Sequence, residues 1–225
     1  MGDAIAGFLL GLVLSSVLAS LWLSAHSGAT DVSIGGQGLA QLGLWLGLLG
    51  CVVWASRRKG AGTLREDFGF DIRPTDAVLG LGAGIGSQVV LLPLIALLLR
   101  PFVGNPKVSG PTQKLIDQAH GVGTTVFILF VAVGAPFVEE LFFRGLVLRS
   151  FERRVGVIAA VAITSALFGL AHPQDLPAGA MALVMISLAA FGAVLATLAV
   201  RTGRLGAGIV AHAAFNAWTV FFLLK

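Results

Sequence analysis

The sequence predicts an all-α polytopic membrane protein, a bundle of about seven transmembrane helices. Three observations carry this. Apolar residues make up 56% of the 225 positions, and charged residues only 12%, about half the share usual in soluble domains. So few charges cannot cover a water-facing surface, whereas a bilayer removes the need. The apolar residues are also gathered into runs near the roughly 20 residues a helix needs to cross the hydrocarbon.

That ruler picks out Ala4–Ser24, Gly38–Ala55, Ala77–Leu99, Gly123–Leu148, Gly156–Ala171, Gly179–Val200 and Leu205–Leu224. No Lys or Arg precedes the first run, so it lacks the cationic start of a cleaved signal and is expected to be a retained span. The third run carries Gly80, Gly82, Gly84 and Gly86. Two small-xxx-small pairs point to close helix packing, and a nucleotide loop is excluded because the Gly-x-Gly-x-x-Gly spacing is absent. The fifth run is short. The fourth is long and contains charges. The polar stretch Arg100–His120 reads as an extramembrane loop, and the whole of 1–225 as a single domain.

The basic residues are unevenly placed. Arg57, Arg58, Lys59, Arg65, Arg73, Arg149, Arg153, Arg154, Arg201 and Arg204 all fall on one side of a seven-span chain. Arg100, Lys107, Lys114 and Lys225 fall on the other. Ten against four puts the first side, and the N-terminus with it, in the cytoplasm. The expected location is the cytoplasmic membrane of a prokaryote. The net charge of +4 is small and gives no reason to expect nucleic acid as a partner. The single cysteine, Cys51, lies within an apolar run, so no intramolecular disulfide is expected.

Within the spans, only Glu139, Glu140 and Arg144 are charged well inside the apolar runs. A charge in lipid costs about 2.5–3.5 kcal/mol on the insertion scale, so such residues normally face the bundle interior and work there. Glu140 and Arg144 are four apart and share a helix face, as an ion pair would. Glu139 is rotated by about 100° and has no partner on its own helix, which suits it to general-base work. Phe168 and His172 are four apart on the fifth run, and so are His212 and Asn216 on the seventh. A Glu and a His can activate water, and a His with an Asn can donate to an oxyanion. Two His and a Glu are equally the ligand types of zinc, so Glu139, His172 and His212 are the residues a metal would use. A metal-free site is the favoured expectation, with zinc the alternative. His-Glu-x-x-His, Gly-x-Ser-x-Gly and Gly-x-Gly-Asp are all absent, which removes three other protease designs.

The ordered set Glu139-Glu140-x-x-x-Arg144, Phe168-x-x-x-His172 and His212-x-x-x-Asn216 resembles the CPBP family, the CAAX prenyl endopeptidases and bacteriocin-processing proteins also called Abi. The resemblance covers the motif-bearing core, about 121–225. It implies an intramembrane endopeptidase acting on a membrane-associated peptide or protein, with Glu139 and His172 activating water and His212 and Asn216 stabilising the oxyanion. Glu140, Arg144 and Phe168 would support them. Family members have been described both as metalloproteases and as metal-independent glutamate proteases. The other readings of the same residues are a membrane scaffold or immunity-type protein that retains the motifs, and a proton-coupled transporter, which would show paired repeats.

One distance does not close on straight helices of about 1.5 Å per residue. His172 lies roughly 24 Å from the Gly156 end of its span, but Glu139 only roughly 15 Å from the Arg149 end of its own. Tilt, a kink at Pro136 or a break at Gly145 would be needed to bring them together.

Overall fold

The computed structural model describes residues 1–26 and 33–225. Its helices are α1 (Gly2–Ala25), α2 (Ile34–Lys59), α3 (Leu64–Phe68), α4 (Pro74–Val103), α5 (Gly110–Gln118), α6 (Val122–Val155), α7 (Val157–Leu170), α8 (Ala178–Thr202) and α9 (Gly206–Leu223). Among the described residues, six helices are long and apolar enough to cross a membrane, and α7 is a shorter apolar helix. Each expected apolar run is helical, but the fifth is too short to cross the hydrocarbon by itself. Large apolar side chains such as Val78, Val122 and Ile158 point outward, as lipid-facing residues do and as a water-soluble fold could not tolerate.

Absent side chains set the helix packing. The α1–α2 hairpin closes through Gly7 and Gly11 against Gly43 and Gly47. A Cβ on Gly11 would come within 2.8 Å of the Leu44 carbonyl, and one on Gly43 within 2.7 Å of the Leu14 backbone. In a bilayer, where lipid tails are as apolar as leucine, such close backbone contact is the main source of helix association. Helix α4 meets α9 in the same way. Gly80 lies against Val210 and Ala207, and Gly84 against Ala211 and Ala214, whereas Gly82 and Gly86 face open space. Of the two small-xxx-small pairs in the sequence, one packs and the other does not.

The stretch Arg100–His120 is more ordered than the loop expected of it. Helix α4 continues to Val103, and α5 follows. Ile116 of α5 is buried, and the Gln113 side-chain amide donates to the Leu223 carbonyl at the end of α9 (3.3 Å). One apolar contact and one hydrogen bond dock a helix that its polar composition alone disguises.

Helix α6 carries the carboxylates. Phe130–Gly134 and Glu140–Leu148 within it are wound as π-helix, a wider turn found often at functional sites. All nine residues of the second segment are buried. Helix α6 does not stop at Arg149. It runs on to Val155, and a turn at Gly156 (φ +78°) leads into α7. This removes the mismatch of depths. Measured from the Gly156 turn, Glu139 and His172 both lie roughly 24–26 Å along their helices. On the neighbouring hairpin, α8 turns into α9 at Gly203 (φ +70°). The Arg149 guanidinium donates to the Gly203 carbonyl (3.0 Å), so this turn sits level with Arg149. From that level Glu139 is roughly 15 Å deep and His212 roughly 13 Å. Neither a kink at Pro136 nor a break at Gly145 is required. Gly145 lies inside the buried segment and packs on Phe68.

Candidate active site

Three helices bring the motif residues together. Glu139, Glu140 and Arg144 come from α6, Phe168 and the adjoining His172 from α7, and His212 and Asn216 from α9. The Glu140–Arg144 pair forms at 2.8 Å with both side chains fully buried. A second Arg144 N–H donates to the Gly192 carbonyl of α8 (3.1 Å), and the guanidinium lies 4.3 Å from the centre of the Phe168 ring. The cation is thus held by a carboxylate, a carbonyl and an aromatic face, which together offset its removal from water.

Phe168 is the hub of the site. It is fully buried, and its ring lies 4.6 Å from that of His172 and 5.6 Å from that of His212. It packs against both imidazoles and against the Arg144 guanidinium.

The hydrogen bonds of the two histidines determine their tautomers. His172 Nδ1 lies 2.6 Å from the Phe168 carbonyl. A carbonyl only accepts, so Nδ1 carries the hydrogen. His212 Nδ1 lies 3.1 Å from Glu140 Oε1, which is already the acceptor of Arg144, so this Nδ1 is also the donor. In the neutral rings both Nε2 atoms then present lone pairs. They face one atom, Glu139 Oε2, at 3.5 Å from His172 and 3.8 Å from His212. That oxygen is buried and takes no hydrogen bond from the protein. Three acceptors converge on one small space, and such an arrangement calls for a hydrogen-bond donor. Side-chain exposure rises from His212 (5%) through Glu139 (14%) to His172 (28%), so the space is approached past His172.

Asn216 lies half-buried one turn beyond His212 and donates from Nδ2 to the Val131 carbonyl (2.8 Å). One amide hydrogen is used there, and the second remains for another acceptor.

Two imidazoles and a carboxylate are donors of the zinc type, and the fit can be tested on the separations. Zinc bonds of about 2.0–2.1 Å place neighbouring tetrahedral ligand atoms about 3.3–3.4 Å apart. The two measured separations are wider, and no group of three or more His, Cys, Asp or Glu among the described residues is arranged to hold a metal ion. At these separations the carboxylate and the two imidazoles are set wider than a zinc ion would hold them.

Residues of α8 complete the site without belonging to any motif. The Gly192 carbonyl holds Arg144, and Phe191 stacks on Phe215 (4.0 Å) while its ring meets that of His212 (5.7 Å). Phe191 is the only aromatic residue of its helix, and that is the one signal the sequence offers.

Residues 121–218 match the family model for type II CAAX prenyl endopeptidase Rce1-like proteins. The chain is also similar to the membrane-embedded CAAX protease MroQ of Staphylococcus aureus (strain USA300), with 29% identity over 149 residues. That match covers 63% of this chain and 56% of the relative, so the chain spans little more than half the length of the curated relative it matches. No solved structure matches it. The matched segment encloses Glu139, Glu140, Arg144, Phe168, His172, His212 and Asn216, so the part of the chain that carries the motifs is the part similar to type II CAAX prenyl endopeptidases.

Proposed function

We propose that this protein is an intramembrane endopeptidase that hydrolyses a peptide bond in a membrane-associated substrate, a prenylated CAAX-type C-terminus or a peptide precursor, with water activated by Glu139 and His172. The convergence of Glu139 Oε2 and two Nε2 lone pairs carries this reading. Water is the small donor that suits it, with one O–H to Glu139 and one to His172. Glu139 takes a proton as the water oxygen attacks the scissile carbonyl carbon. The C–N bond then breaks, and that proton passes to the leaving amine.

His212 Nε2 faces the same space as Glu139. As the oxyanion forms, the proton that Glu139 has taken can rest on that Nε2 before it reaches the leaving amine, and the ring is then a donor. With the second amide hydrogen of Asn216 it would stabilise the oxyanion of the tetrahedral intermediate.

The test uses the purified full chain and a fluorescence-quenched peptide ending in an S-farnesylated Cys-aliphatic-aliphatic-X sequence, with a non-prenylated precursor-type peptide alongside. Glu139→Gln keeps the shape and removes the base, so cleavage should be lost while the protein elutes as the wild type does. A Glu139→Gln variant that cleaves either peptide at the wild-type rate would falsify the assignment of the base.

A further inference from the structure

Glu140 uses one oxygen twice. Oε1 accepts from Arg144 Nη1 (2.8 Å) and from His212 Nδ1 (3.1 Å), while Oε2 is buried without a hydrogen bond. A carboxylate bonding a guanidinium would ordinarily present both oxygens to it. Here the group is turned so that Oε2 points away, toward α9 at Gly208. That residue is buried and stands one helical turn before His212, on the same face. A Cβ there would lie 3.0 Å from Glu140 Oε2, tighter than ordinary contact.

Helix packing alone does not explain a glycine at this position. The nearest backbone atom to that Cβ, the Leu195 carbonyl oxygen of α8, is 3.9 Å away, an ordinary van der Waals contact. The backbone conformation does not demand glycine either, since Gly208 is not among the positive-φ residues. The atom that a methyl group would meet is the free oxygen of Glu140.

We propose that Gly208 is a positioning residue of the site: its missing side chain makes the room into which Glu140 Oε2 turns, so that Oε1 alone bridges Arg144 and His212 and holds His212 in its Nδ1–H form. The catalytic consequence rests on the proposed role of His212 toward the oxyanion, but the geometry does not. A methyl group at 208 swings the carboxylate, the His212 Nδ1–H loses its acceptor, and the ring no longer holds Nε2 toward Glu139.

The experiment compares wild type, Gly208→Ala and Gly82→Ala as purified full chains labelled with 15N-histidine, with the His212 signals assigned by their loss in His212→Gln. Gly82 has nothing within 4 Å of its Cβ, so Gly82→Ala should match wild type throughout. Wild type should show His212 protonated at Nδ1, and Gly208→Ala should lose that signature or mix it with the other tautomer. With the farnesylated peptide, kcat should fall roughly 10- to 100-fold, the usual range for a lost supporting contact, with KM changed far less. Retention of both the tautomer signature and the rate in Gly208→Ala overturns the proposal. If Gly208→Ala does not fold, it is added to Glu140→Ala/Arg144→Met, which removes the carboxylate and its counter-charge together. No further loss of folded protein on adding Gly208→Ala supports a clash with Glu140, and a further loss overturns it by placing the clash elsewhere. Because the tautomer is read without substrate, a wild type that cleaves neither peptide would sink the protease reading and leave this one standing.

Discussion

Adjacent carboxylates in one turn of α6 have opposite surroundings. Glu140 is fully buried between a guanidinium and an imidazole, while Glu139 is partly open and faces two lone pairs. The pair with Arg144 was legible in the sequence because four residues of separation put two side chains on one face. The closeness of Glu139 to His172 and His212 was not, since no local spacing relates three helices. The supporting roles of Gly192 and Gly208 left no mark at all, because a glycine that faces a polar atom is written the same way as one that faces lipid. The difference between the carboxylates is measurable. Glu140→Gln leaves Arg144 buried without its counter-charge, and breaking a buried pair costs about 3–5 kcal/mol. Thermal unfolding in detergent should therefore show a large loss for Glu140→Gln and a small one for Glu139→Gln. Phe168→Ala should cost about 3–5 kcal/mol as a large buried aromatic and should lower activity as well, since both imidazoles rest on that ring. Asn216→Ala tests the oxyanion assignment. It should lower kcat by about 10²–10³, as loss of one such donor does elsewhere, with little change in KM. Chelation should leave the cleavage activity of the purified protein unchanged. Zinc bound near one per chain, lost with activity and restored with it, would instead make Glu139, His172 and His212 ligands around the same water.

At the scale of helices, the apolar runs marked every span, but their ends were less legible. The arginines at 149, 153 and 154 looked like the edge of the membrane, and the depth argument failed on that edge. Backbone hydrogen bonding does not stop where hydrocarbon stops, and α6 carries its charged last turns to Val155. The small-residue pairs of α4 show the same limit, since spacing cannot say which of two faces meets a helix and which meets lipid. Leucine substitutions separate them. Gly84→Leu should cripple folding because α9 lies against it, and Gly82→Leu should be tolerated. Equal yields of folded protein would contradict the α4–α9 contact. The link between α2 and α3 is fastened by Asp67, whose carboxylate accepts from the Ser56 hydroxyl and from the backbone N–H groups of Ala61 and Gly62. The Ser56 hydroxyl foremost, then those N–H groups, hold Asp67 below the usual carboxylate range. A depressed carboxylate contributes stability above its unfolded value and loses it as pH falls through the folded one. Acidification below the normal aspartate range should therefore lower the melting temperature of wild type more than that of Asp67→Asn. A parallel loss in both would remove Asp67 from the account.

Over the whole molecule, the basic loops are joined into one face by contacts as well as by charge. Lys59 at the end of α2 pairs with Asp3 at the start of α1 (2.6 Å), and Arg204 before α9 pairs with Asp76 at the start of α4 (2.7 Å). Arg149 reaches the Gly203 turn. These contacts put the start of α1 level with the end of α2, and the starts of α4 and α9 level with Arg149 of α6, which makes the charge asymmetry a property of the fold. The crossing that decides the topology is that of α7. At 14 residues it spans roughly 21 Å, short of a hydrocarbon core of about 30 Å. Residues 171–177, which lead from α7 to the 25-residue α8, must complete that crossing if α8 is to return to the basic face. Since ten of the basic residues lie in the loops of that face, the positive-inside rule predicts that it is cytoplasmic. A reporter inserted at the exposed Gly62 should then be cytoplasmic, and one fused after Lys225 should lie across the membrane. Reporters on opposite sides but exchanged would keep the fold and reverse the orientation. Reporters on the same side would mean that the chain crosses an even number of times between them, and α7 with the 171–177 segment would then have to be a re-entrant hairpin.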